Sequence, residues 1–103
     1  MLGPDQVITL QAAATLTHAL NQLGQAEQAR ALGEDTLQRS RRVLGPDHPT
    51  TLDAATALTL ALVQLGEVEP ARALGEDTLQ RCHRVLGPHH PITLYLTEAA
   101  NIT

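Results

Sequence analysis

Five histidines and one cysteine are the side chains best suited to bind a metal or act as a nucleophile, and their spacing favours neither. Zinc sites draw on short-spaced ligand pairs arranged tetrahedrally. Cys82-His83 and His89-His90 are directly adjacent residues and lack that spacing. His48 and His90 each precede a proline in a recurring loop, and Cys82 falls on an apolar stripe where an earlier copy has Ser40, which suits a small buried residue. Glu34-Asp35 and Glu76-Asp77 are paired carboxylates of the kind that can share a proton. Adjacent residues diverge around a helix, however, and each carboxylate has an arginine four residues away. The Gly-Pro-Asp runs lack the spacing and the following lysine of a phosphate-binding loop, and no Ser/His/Asp order stands out. The expectation is a chain without catalytic residues, cofactor or metal, and so a binder rather than an enzyme.

The elements that position these residues follow from a period of 42. Leu2-Gly3-Pro4-Asp5 returns as Leu44-Gly45-Pro46-Asp47 and again as Leu86-Gly87-Pro88. One repeat runs over 2–43, a second over 44–85, and a third begins over 86–103, all within a single unit of 1–103. Such a period marks a solenoid, in which each unit buries its apolar face against its copies. Leu10, Ala13, Leu16, Thr17, Leu20 and Leu23, matched by Leu52, Ala55, Leu58, Thr59, Leu62 and Leu65, recur at spacings of three and four. A second stripe runs Ala29, Leu32, Gly33, Thr36, Leu37, Ser40 and Val43, matched by Ala71 to Val85. These patterns predict five helices over 8–23, 26–43, 50–65, 68–85 and 92–102.

Local signals set the helix ends. Pro49 suits a first turn, Thr50 and Asp53 stand at capping-box spacing with Asp47 as a competing cap, and Gly24 and Gly66 supply left-handed stops. Gly33 and Gly75 lie inside helices at a cost of about 1 kcal/mol each relative to Ala, which predicts close approach by a neighbouring helix. Arg30 with Glu34, Asp35 with Arg39, and the copies Arg72 with Glu76 and Asp77 with Arg81 are opposite charges four apart on the outer face.

Composition narrows the function class. The 103 residues are 43% apolar but hold no Phe, no Trp and only Tyr95 among the large aromatics, so the core must be aliphatic and tightly packed. A formal charge of −4 argues against nucleic-acid binding, and the arginines Arg39, Arg41, Arg42, Arg81 and Arg84 fall at helix C-termini, where cations complement the dipole. No segment reads as a signal peptide or membrane span, and the single cysteine is compatible with a reducing compartment. The expected setting is therefore cytoplasmic, with no membrane partner.

The Gly-Pro-Asp-His-Pro-x-Thr-Leu run at Gly45 to Leu52, Gln64-Leu65-Gly66, and Ala71 five residues further on resemble the tetratricopeptide repeat. More narrowly they are similar to its 42-residue form, found in kinesin light chains and bacterial repeat proteins. The resemblance covers the whole chain and implies an all-α, right-handed superhelical solenoid whose first helices line a concave groove for a peptide or a partner's helix. It also implies that the second helices lie on the convex side. Where that family often carries an Asn nine residues before the turn glycine, this sequence has Thr15 and Ala57, so that contact to a peptide backbone does not carry over. Large aromatics common in the family's first helix are replaced by Ala13, Ala55, Leu20 and Leu62.

The two copies of the first helix differ at Ile8/Thr50, Gln11/Asp53, Ala14/Thr56, Thr15/Ala57, His18/Leu60 and Asn21/Val63, a stripe distinct from the core positions. By the resemblance these fall on the concave face. Gln11, Ala14, Thr15, His18, Asn21, Asp53, Thr56, Ala57, Leu60 and Val63 are therefore the expected partner-binding residues, for a protein or peptide ligand. The third copy stops after its first helix, which carries Tyr95 and Leu96. That leaves three expectations: a cap closing the second repeat, head-to-tail association of copies, or a piece of a longer array.

Overall fold

Five helices account for 81% of Gly3 and residues 6–100, the part of the chain that the computed structural model describes. They are α1 Val7–Gln22, α2 Ala26–Val43, α3 Pro49–Gln64, α4 Val68–Val85 and α5 Pro91–Ala100, with no strand among the described residues. Each lies within two residues of its expected span. The Leu2, Pro4 and Asp5 positions of the opening motif, and 101–102 of the last expected helix, lie outside the described residues.

Both α1 and α3 end as their glycines predict. Gly24 and Gly66 adopt φ of 77° and 76°, and the following amides of Gln25 and Glu67 reach back to the carbonyls of Leu20 and Leu62 at 2.9 and 3.0 Å. The start of α3 differs from expectation. His48, rather than Thr50 or Asp47, is the cap: its Nδ1 accepts the Thr50 amide at 3.1 Å, and His90 does the same for Ile92 at 3.1 Å. The proline that follows each histidine has no amide to satisfy, so the ring reaches the next one. Asp47 turns instead to the end of α4, accepting from Arg81 at 2.8 Å and from Arg84 at 3.1 Å. The Arg81 hydrogen bond, with Arg84 beside it, holds the Asp47 carboxyl below its ordinary range despite some desolvation.

α1, α3 and α5 pack side by side, whereas α2 and α4 pack on α3 and do not meet each other among the described residues. The row of first helices is therefore the short, inner side of a curved stack. Its core is aliphatic, centred on Ala14, Leu37, Ala54, Ala55, Leu58, Leu62 and Ala71. Buried threonines fill gaps between these residues. Thr17, Thr56 and Thr59 return their hydroxyls to the carbonyls of Ala13, Leu52 and Ala55 at 2.8–2.9 Å, which lets β-branched polar side chains sit in an apolar seam.

At Gly33, α2 of the first repeat packs tightly on α3 of the second. A Cβ placed there would lie 3.2 Å from Leu58 Cβ and 3.4 Å from Thr17 Cγ2, while one on Gly75 would meet only Thr59 Cγ2 at 3.3 Å. Cys82 is fully buried in the stripe, and burial pushes its thiol pKa up. On the outer face Arg39–Asp35 and Arg81–Asp77 pair as expected at 2.9 and 3.0 Å. Arg30 and Arg72 turn away from Glu34 and Glu76, toward Glu27 at 2.9 Å and Glu69 at 3.2 Å. Arg30 also reaches Glu67 of the next repeat at 3.5 Å, a bridge that the i,i+4 position does not offer.

Gly33→Ala should destabilise the fold by about 1 kcal/mol or more, because Leu58 Cβ moves only with the α3 backbone and the overpacking outweighs the gain in helix propensity. Gly75→Ala, with a single neighbour, should be neutral or stabilising by up to about 1 kcal/mol. Urea unfolding monitored by helicity measures both.

Candidate interaction surface on the first helices

Asp53 on α3 is the hub of the inner face. Its Oδ2 accepts from Gln11 Nε2 at 2.9 Å and its Oδ1 lies 2.9 Å from His18 Nε2, both on α1. Gln11 is held from its other end, since its Oε1 accepts the Thr50 hydroxyl at 2.9 Å. Four side chains from two repeats thus form one polar cluster, with Asp53 only 16% exposed. Burial by itself would raise the Asp53 pKa, but the hydrogen bonds from His18 and Gln11 outweigh it and hold the carboxyl below its ordinary value.

Tyr95 of α5 completes the arrangement. Its ring meets His18 edge to face, with centroids 5.7 Å apart and planes at 75°. A side chain from the first helix row thereby touches one from the third, across α3. Tyr95 occupies the same repeat position as Gln11 and Asp53, so one position supplies an amide, a carboxylate and a phenol in succession. The period held that signal, but the comparison of two copies stops at 53 and misses the third.

The structure divides the expected binding stripe. Thr15 is exposed, its hydroxyl returned to the Gln11 carbonyl at 3.0 Å, and Gln11, His18, Asp53, Leu60 and Val63 are half-buried. Ala14, Thr56 and Ala57 are buried in the seams between helices, and Asn21 is nearly so, so these four side chains are closed to a partner. Asn21 instead donates from Nδ2 to the Ala57 carbonyl at 2.9 Å, and Gln64 Nε2 donates to the Asn21 carbonyl at 3.2 Å. The physical reason is arc width: positions spaced 3, 3, 1, 3 and 3 apart span more of the helix circumference than a groove, so one edge of the stripe turns into the neighbouring helix. Val63 belongs to a different surface, where it lines a hollow beside α4.

Among the described residues no group of three or more His, Cys, Asp or Glu side chains could hold a metal ion, and no helix is long and apolar enough to cross a membrane. The inner surface offers hydrogen-bonding groups, the exposed ring of Tyr95 on α5, and half-buried Leu60 on α3 at the repeat position of His18.

Comparison with protein families gives a match to the tetratricopeptide repeat over residues 8–82. Comparison with curated proteins gives no match.

Asp53→Ala should cost about 1–3 kcal/mol, because it strips the acceptor from two partly buried donors. The sign of its pH effect follows from the lowered carboxyl pKa. The stabilisation is complete above the ordinary value of 3.8 and is lost as pH falls through the lower value of the folded protein. Asp53→Asn should therefore flatten that part of the acid unfolding curve, read by helicity against pH.

Proposed function

Because the chain belongs to the tetratricopeptide repeat family, we propose that it is a scaffold that binds a peptide or helix of a partner protein on its concave face. Repeats of this family generally mediate protein–protein interaction, and the family is typically non-enzymatic. The observation that supports the site is the contact of His18 with Tyr95 across α3, which joins three successive first helices into one surface. Gln11, His18 and Asp53 are engaged with one another, so their part is to hold the wall of the groove. Thr15, Leu60 and Tyr95 are the side chains that meet the ligand. A partner segment with apolar side chains for Leu60 and Tyr95 and backbone groups for the polar wall fits this surface. The cytoplasm is the setting proposed for this activity, in keeping with the single buried thiol.

A second reading, association of copies end to end, is supported by apolar side chains left uncovered at the two ends of the stack. These are Val7, Ile8, Leu16 and Leu23 on α1 and Leu94 on α5.

Peptides selected from a displayed random library on the immobilised chain provide ligands for the test of the groove. Leu60→Asp and Tyr95→Ala should each weaken a selected peptide at least tenfold, while Gln38→Asp, on the exposed face of α2, should leave it unchanged. Equal binding to all three variants would refute the concave site.

A further inference from the structure

We infer that the partner segment bound on the inner face presents an arginine, whose guanidinium lies against the Tyr95 ring and donates to the exposed edge of the Asp53 carboxylate. This rests on the groove proposed above and assigns its ligand a chemical class.

Charge is sorted between the two rows of helices. All seven cationic side chains of the chain are arginines, and every one lies on α2 or α4. α2 sets Glu27, Glu34 and Asp35 against four of them, and α4 sets Glu69, Glu76 and Asp77 against three, so the outer row is close to neutral. The first helices hold no cation to balance Asp53 on α3 and Glu98 on α5, and α1 has no charged residue of either sign. Counting histidine as neutral, the inner row is anionic. Its field favours a cationic ligand and opposes an acidic one.

The charge on Asp53 is kept rather than cancelled. Burial opposes its ionisation, but the hydrogen bonds from His18 and Gln11 outweigh that, so the carboxyl is ionised at neutral pH. A neutral imidazole and a neutral amide stabilise the carboxylate without removing its charge. A carboxylate has about four acceptor sites, and His18 and Gln11 take one on each oxygen. The 16% of the side chain that stays exposed therefore has capacity for a further donor.

Tyr95 decides which cation fits. Its ring is 45% exposed and stands edge to face with His18, and the same imidazole lies 2.9 Å from Asp53. One histidine thus joins an exposed aromatic ring to a carboxylate. A guanidinium is planar, so it can stack on the ring and donate to the carboxylate at once, whereas an ammonium is a compact point charge. The arginine stem is apolar, in keeping with an apolar contact at Tyr95. Leu60 lies two turns beyond Asp53 on α3, roughly 10 Å along the helix axis. The ligand therefore meets Leu60 with a different residue, about three positions from the arginine in an extended segment.

Three displayed peptide libraries free of Tyr and Trp, with Arg, Gln or Glu fixed at the centre, are selected on the immobilised chain. The chain has one Tyr and no Trp, so a change in intrinsic tyrosine emission reports a peptide seated at Tyr95. The Arg library should yield binders that change this emission, and Asp53→Asn should weaken them at least tenfold. Replacing the peptide's arginine with glutamine should cost as much on wild type and little on Asp53→Asn, the mark of a direct pair. Affinity for the Arg peptide should also fall as NaCl rises from about 50 to about 500 mM. Gln or Glu peptides that bind as tightly and change the emission equally, or Arg peptides indifferent to Asp53→Asn and to salt, would overturn the arginine and leave the groove standing. Peptides that bind without changing the Tyr95 emission, or no binder from any library, would overturn the groove and the arginine with it. If Asp53→Asn loses helicity, the exchange in the peptide and the salt dependence carry the same test.

Discussion

The approach of α2 to α3 at Gly33, where Leu58 fills the space that a side chain would need, sets the spacing from which the remaining geometry follows. With no Phe or Trp to span a wider gap, an aliphatic core excludes water only if the backbones come close. Glycine in mid-helix is unfavourable in isolation and is stabilising here only through the contact that it permits. Alanines at 14, 54, 55 and 71 serve the same end, each fully or nearly fully buried.

Close stacking of the first helices brings side chains from different repeats within hydrogen-bonding reach. Gln11 and Asp53 meet because α1 and α3 pack side by side in register, one period apart. His18 meets the same carboxylate from 35 residues away, two helical turns short of a full period. The inner face is thus stitched by polar groups that satisfy one another, which makes it a firm wall. On the outer helices Arg30 with Glu27 and Arg72 with Glu69 pair within one helix, at exposures where each pair contributes little.

The loops between repeats are pinned by a different device. Asp47 accepts from two arginines at the end of α4, and His48 beside it caps α3, so one short segment anchors both helices of its repeat. In the third copy the residue at the Asp47 position is His89, while the capping histidine returns as His90. The cap is therefore common to both loops.

Period and apolar spacing made the helices, their order and their turns legible from the amino acids alone, because backbone propensity, left-handed glycines and stripes at three and four are local properties. Cys82 as a core residue and the close approach at Gly33 were legible for the same reason: both follow from stripe position. Which edge of the variable stripe turns inward was not legible. Ala14, Asn21, Thr56 and Ala57 are buried, while Thr15 is exposed, because the rotation of each helix about its axis is set by its neighbours on both sides. The choice of His48 over Thr50 as cap, of Glu27 over Glu34 as partner for Arg30, and of Asp53 as the hub for Gln11 and His18 were likewise tertiary decisions. In each case several partners stood within reach along the chain, and packing between helices selected among them.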